Sequence, residues 1–154
     1  MMNDRQRIEA GIIPALMYGI VVPLAADQET EEEREQFDKV VRACQQAMFE
    51  ISDDLDDKRA NQVQRRLARL YAKLREVMEH ASCNVQSMMA VYYLTEELIQ
   101  EEKISIYDGT YFADAVNILL SSLNEYWDDE RLDKMARKRA RQMRKVLESE
   151  GYFR

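Results

Sequence analysis

Residues 60–81 read ANQVQRRLARLYAKLREVMEHA. Ala60, Val63, Leu67, Leu70, Leu74, Val77 and Ala81 recur at alternating spacings of three and four. That is the a/d seam of an amphipathic helix, and Tyr71 and Met78 widen it to a full face. On the opposite side Arg65, Arg69 and Lys73 follow one another at four-residue intervals, with Lys58 in line. One face of this helix requires a core, and the other presents a positive stripe.

The rest of the chain repeats that logic. Its 154 residues fit a single domain, and four Gly and two Pro leave few helix breakers among abundant Leu, Ala, Glu, Arg, Lys and Met. No stretch sustains the period-two alternation of a strand. The predicted class is all-α, a single-domain bundle of five to six mostly antiparallel helices spanning 1–154. Helices are expected at about 30–52, 57–81, 85–102, 110–127 and 129–149, behind an apolar N-terminal segment at 8–26. Leu67, Leu70, Leu74, Met88, Tyr92, Leu119, Leu123 and Trp127 are expected to share one core.

The N-terminal segment contains GIIPALMYGIVVPLAA, residues 11–26, sixteen residues without a charge. Asp4 and Glu9 offset Arg5 and Arg7, and Leu24 stands where a leader would need a small residue before its cleavage site. The run is shorter than the ~20 residues of a spanning helix, and two prolines and two glycines interrupt it. It is expected to form a kinked helix or an extended cover, buried in the domain or in a self-interface. Membrane association is the competing reading.

Local signals place the remaining elements. Thr30 with Glu33 makes a capping box, and Glu31 to Glu33 suit the positive end of a helix dipole. Phe37, Val40, Val41, Cys44, Met48 and Ile51 lie on one side of the helix that follows. The cluster SDDLDD at 52–57 offers N-caps for the next helix, although one kinked helix from 30 to 81 is an alternative. Asn84 is a candidate cap for a helix whose first half, Met88 to Leu94, is apolar on nearly every side and therefore central. Ile104 to Tyr107 reads as a short extended piece, and Asp108-Gly109 as a turn. Phe112, Val116, Leu119, Leu123 and Trp127 form one face of a fifth helix, ended by Asp128-Asp129-Glu130. Leu132, Ala136, Ala140, Met143 and Leu147 form the packing face of a sixth, opposite Lys134, Lys138, Arg141 and Lys145. Gly151 reads as its C′ stop, with Tyr152 and Phe153 folding back onto the last turn.

Candidate chemistry is sparse. The single histidine, His80, lacks the partners a site needs, and two cysteines, Cys44 and Cys83, have neither metal nor redox spacing. A carboxylate di-iron bundle needs two Glu-x-x-His pairs, which one histidine cannot supply. Glu50-x-x-Asp53 and Glu125-x-x-Asp128 resemble the carboxylates that hold Mg²⁺ in all-helical nucleotide pyrophosphohydrolases. A magnesium site in a bundle needs carboxylates that converge between helices, and the wheel turns both pairs away from the apolar faces. They read as solvated helix ends, and no metal or cofactor is expected.

The charge layout carries more. The net charge of −7 resolves into −9 over residues 1–57, +5 over 58–80, −9 over 81–130 and +6 over 131–154. Acids are nearly absent between Lys58 and Arg75 and between Lys134 and Lys145, whereas an ordinary solvated helix mixes signs at i,i+4. Arg65, Arg69, Lys73, Lys134, Lys138, Arg141 and Lys145 are the candidate partner-binding residues. Neither stripe is interleaved with aromatics on which bases would stack. The expected role is a cytoplasmic, non-catalytic interaction protein of adaptor, chaperone or inhibitor type that binds a protein partner. Nucleic-acid binding through the basic helices, or acidic mimicry of nucleic acid, is the alternative. The apolar N-terminus is a candidate homo-oligomer contact.

Overall fold

Apolar residues at helical spacing, with strong caps between them, produce six α-helices and no strand among the described residues. They are α1 (Asp4–Ala26), α2 (Glu31–Glu50), α3 (Asp57–Glu79), α4 (Asn84–Gln100), α5 (Tyr111–Ser122) and α6 (Glu130–Ser149). The computed structural model describes residues 2–79, 84–104, 111–124 and 126–154. His80, Ala81, Cys83, Glu125, the Asp108-Gly109 turn, most of the expected extended piece at 104–107, and the side chains of Asn84 and Phe112 lie outside them. The chain divides into two compact units, Met1–Tyr71 with Tyr107–Ala115, and Ala72–Ile106 with Val116–Arg154. The division falls within α3 and within α5.

In the first unit α1 is the core element. Its N-cap Asn3 accepts from the Gln6 N–H at 2.8 Å, and the Gln6 side chain accepts in return from the Asn3 N–H at 2.9 Å. This reciprocal box starts the helix at Asp4, four residues ahead of the apolar segment. The helix then runs through both prolines, with Gly11 to Met17 buried without interruption. Burial of a large apolar side chain gains ~1.5–3 kcal/mol. Ile8, Ile12, Ile13, Leu16, Met17, Ile20 and Val21 together outweigh the ~3 kcal/mol an interior proline costs. The carbonyls that Pro14 and Pro23 leave without N–H partners belong to exposed Ala10 and half-exposed Gly19, where water reaches. The sixteen-residue run is short for a span, but the helix that contains it is not. By length and composition α1 is able to cross a membrane, yet 61% of its most apolar window is buried inside the protein.

The α2–α3 boundary is a turn, so the two are separate helices. Thr30 Oγ1 accepts from Glu33 N–H at 3.2 Å to open α2. Asp56 accepts from Arg59 N–H at 2.9 Å to open α3. The carbonyls left unpaired at the end of α2 are met from neighbouring elements. Gln64 Nε2 donates to Met48 O at 2.8 Å and to Ser52 Oγ at 2.9 Å, and Arg7 donates to Ile51 O at 2.8 Å.

In the second unit the half of α4 that reads as central has Met89, Ala90, Val91 and Leu94 at zero exposure with Tyr92 and Tyr93 half-buried, and Leu98 in the following half is fully buried too. Helix α4 packs against α6. Helix α5 is shorter than expected, ending at Ser122, and Trp127 stands in the following turn instead of on the helix. The run Ser121-Ser122-Leu123-Asn124 accounts for the early stop, since Ser and Asn side chains compete for backbone partners. Asp129 caps α6, accepting from the N–H groups of Arg131 and Leu132. Both α4 and α6 end in Schellman motifs: Lys103 N–H to Leu98 O at 2.8 Å, and Tyr152 N–H to Leu147 O at 2.9 Å. Gly151 takes the left-handed position at φ 90°, and Tyr152 and Phe153 fold back into the core. Of the eight residues expected to share one core, Leu67 and Leu70 belong to the first unit and the other six to the second. Tyr92 and Trp127 are half-buried, the rest buried.

Candidate functional site

The first unit holds an apolar groove of about 410 Å³ between α1 and α3, lined also by Met48 of α2. Ala15, Gly19 and Val22 form one wall, and Leu67, Ala68 and Tyr71 the other. Gly19 makes the close approach possible, because a Cβ there would stand 2.5 Å from Tyr71 Oη. Val22, on the groove wall, is 38% exposed. Arg65 and Arg69 are exposed on α3, Arg65 one turn from Ala68. Around the other end of the unit, Arg7 is 3% exposed and pairs with Asp54 through two bonds, at 2.6 and 3.0 Å. The Arg7 guanidinium holds the Asp54 carboxyl below its ordinary range, and the carboxylate raises the arginine in turn. This contact ties the first turn of α1 to the α2–α3 turn and is structural.

The second unit carries two polar clusters. Arg144, 7% exposed, donates to Glu101 through two bonds at 3.0 and 3.1 Å and to Glu97 at 3.3 Å. Its Nε faces Glu148 at 3.2 Å, and it also donates to the Phe153 carbonyl at 3.4 Å. Three carboxylates share one cation. Burial, with Glu101 and Glu148 close by, pushes the Glu97 carboxyl up against the pull of Arg144. In the second cluster the Tyr93 hydroxyl donates to Asp133, and Arg137 bonds Asp133 at 3.0 Å while lying 4.1 Å from the Tyr93 ring centroid. Burial, then the Asp133 carboxylate, push the Tyr93 hydroxyl up to about 12. Tyr92 and Trp127 meet edge-on at 5.3 Å beside it.

The stripe residues are distributed between these surfaces. Lys73 pairs with Glu150, and it lines a shallow cleft together with Lys145, Arg139, Glu76 and Glu150. Arg141 lines another cleft with Tyr93, Glu96, Glu97 and Arg137. Lys134 and Lys138 line neither. Arg65, Arg69, Lys134, Lys138, Arg141 and Lys145 are all exposed, and none forms an ion pair among the described residues.

No nucleophile or metal site emerges from this geometry among the described residues. Burial pushes the Cys44 thiol up to about 12, far from a reactive thiolate. Among the described residues no three His, Cys, Asp or Glu side chains converge on a point where a metal ion would sit. Glu50, Asp53 and Asp128 are exposed, as the wheel predicts. The surface feature that periodicity does not reveal is the groove, whose walls come from residues 15 to 71. Arg144 was legible: it lies four residues after Ala140 and three before Leu147, on the buried face of α6. Comparisons with protein-family models, curated proteins and solved structures give no match.

Proposed function

We propose that this chain is a non-catalytic interaction protein, of adaptor, chaperone or inhibitor type, that binds a protein partner in the cytoplasm. The observation that carries this reading is the unpaired state of six of the seven stripe cations among the described residues. A charged face that serves stability alone mixes signs and closes i,i+4 pairs. These faces keep one sign and stay open. Of these cations Lys145 and Arg141 line clefts that mix signs, Lys73, Arg139 and Lys145 standing against Glu76 and Glu150 in one, and Arg137 and Arg141 against Glu96 and Glu97 in the other. Mixed-sign relief complements a protein surface, whereas a polyanion meets repulsion from those carboxylates and from the net charge of −7.

The test compares the chain with a variant carrying Arg65, Arg69, Lys134 and Lys138 as glutamate. Capture of a defined partner from the source cells, lost in the variant, supports the proposal. Micromolar binding of duplex DNA or single-stranded RNA at ~50 mM salt, falling steeply as salt rises and lost in the variant, replaces it with nucleic-acid binding.

A further inference from the structure

We infer that the cleft between α4 and α6 binds a free basic α-amino acid, with its two cationic groups on Glu96 and Glu97 and its carboxylate on Arg141. The inference goes beyond the protein-binding reading and does not depend on it. The cleft holds about 350 Å³, within the ~300–1,000 Å³ of small-molecule sites. Glu96 and Glu97 are consecutive on α4, and Arg137 and Arg141 stand one turn apart on α6. Ala140 lines the cleft with them, and its single methyl leaves the space between the two helices open. Opposite charges thus line one cleft, yet neither glutamate forms an ion pair with either arginine among the described residues. A molecule that carries both signs can make the pairs these side chains do not make with each other.

The partners already in place decide which charges remain for a ligand. Arg137 is committed to Asp133 at 3.0 Å and lies over the Tyr93 ring. Arg141 has no ion-pair partner among the described residues. Glu96 accepts from the neutral Gln100 amide at 3.1 Å and meets no cation among the described residues. Glu97 shares Arg144 with Glu101 and Glu148, so one guanidinium serves three carboxylates. Burial, and then the neighbouring carboxylates, push the Glu97 carboxyl up in spite of Arg144, and an added cation would relieve it. Of the other α6 cations, Lys145 lines the other cleft and Lys138 lines neither. What remains is two carboxylates short of positive charge and one open guanidinium. A neutral zwitterion leaves one of those carboxylates unmet. A basic α-amino acid, with two cationic groups and one carboxylate, matches all three, and its carboxylate suits the planar fork of Arg141.

The experiment titrates the full chain calorimetrically with three free ligands. These are L-lysine, cadaverine, which lacks the carboxylate, and L-norleucine, which lacks the side-chain ammonium. Trp127, the only tryptophan of the chain, lies 6.1 Å from the Tyr93 ring that lines the cleft, so its fluorescence gives a second readout. Lysine is expected to bind about three- to fivefold more tightly than either control, the worth of one partly exposed charge pair, and to weaken as salt rises. Arg141→Gln should remove the preference for lysine over cadaverine, and Glu96→Gln should weaken lysine by a similar factor. Lys138→Gln, on α6 but outside the cleft, should leave lysine binding unchanged, which separates a contact in the cleft from the general field of the helix. Circular dichroism confirms that each variant is folded. Equal binding of the three ligands, a preference for lysine over cadaverine that survives Arg141→Gln, or no heat and no Trp127 response at ~10 mM lysine overturns the inference. None of these outcomes touches the protein-binding proposal, whose test alters Arg65, Arg69, Lys134 and Lys138, all outside this cleft.

Discussion

Gly11→Ala should destabilise the protein although alanine is the better helix former. In a helix interior alanine is favoured over glycine by ~0.8–1.0 kcal/mol. At Gly11, however, an added Cβ would meet Ile51 Cδ1 at 3.1 Å, Leu67 Cδ2 at 3.2 Å and Ile51 Cγ2 at 3.3 Å. Carbon atoms pack best at ~3.5–4.0 Å, so three contacts are short at once. All of these groups are buried, with Ile51 and Leu67 fixed in the core of the first unit. Overpacking of this kind costs ~1–3 kcal/mol, which leaves a net loss of about 1 kcal/mol after the helix gain. Ile51→Val removes the nearest methyl and by itself costs ~0.5–1.5 kcal/mol. In the double variant the methyl added at position 11 takes up part of the vacated space, so the costs should fall short of additivity by about 1 kcal/mol. Urea unfolding followed by far-UV circular dichroism, with unchanged m-values, measures all four corners of the cycle. A Gly11→Ala protein that is more stable than the parent and strictly additive with Ile51→Val would refute the reasoning. It would mean that α1 does not present Gly11 to Ile51.

Two further substitutions test other local arguments. Glu102 holds the left-handed C′ position of the α4 Schellman motif at φ 59°, where a side chain costs ~1–2 kcal/mol and glycine gives back ~0.5–1 in chain entropy. Glu102→Gly should therefore stabilise by roughly 0.5–1 kcal/mol, and a loss in thermal or urea unfolding would show that the carboxylate matters more than the backbone. Tyr93 keeps its proton up to about 12 when folded, against about 10 when free. The folded state then binds the extra proton between those values, so stability falls as pH rises through that window. Tyr93→Phe should lose ~1 kcal/mol at neutral pH with its hydrogen bond to Asp133, yet escape the alkaline loss between about pH 10 and 12. Parallel stability curves for the two proteins across that window would contradict the assignment.

The amino-acid sequence by itself determined the helices and most of their faces. Periodicity at Val63, Leu67, Leu70 and Leu74 needs only the 3.6-residue repeat to predict a buried face, and all four are buried. The caps at Thr30, Asp56 and Asp129 and the stop at Gly151 were legible because each is a contact within a few residues of itself. The exposure of Arg65, Arg69, Lys134, Lys138, Arg141 and Lys145 followed from the same wheel. The box at Asn3 and Gln6 was equally local, and it shows that the apolar N-terminal segment is a helix begun by the polar residues ahead of it.

What only the tertiary structure decided depends on distance in sequence. Continuation of α1 through Pro14 and Pro23 cannot be judged from local preference, since the cost of a proline is local and its compensation is burial by other elements. Arg7 looks like a surface charge until Asp54 and the Ile51 carbonyl, more than forty residues away, are brought to it. The groove exists because Gly19 lacks the one atom that would hold Tyr71 off, and no periodicity joins residue 19 to residue 71. The end of α5 at Ser122 places Trp127 against Tyr92 from a turn, where the wheel had put it on a helix face. Local spacing fixes which way a side chain points on its own helix; only packing decides what stands opposite it.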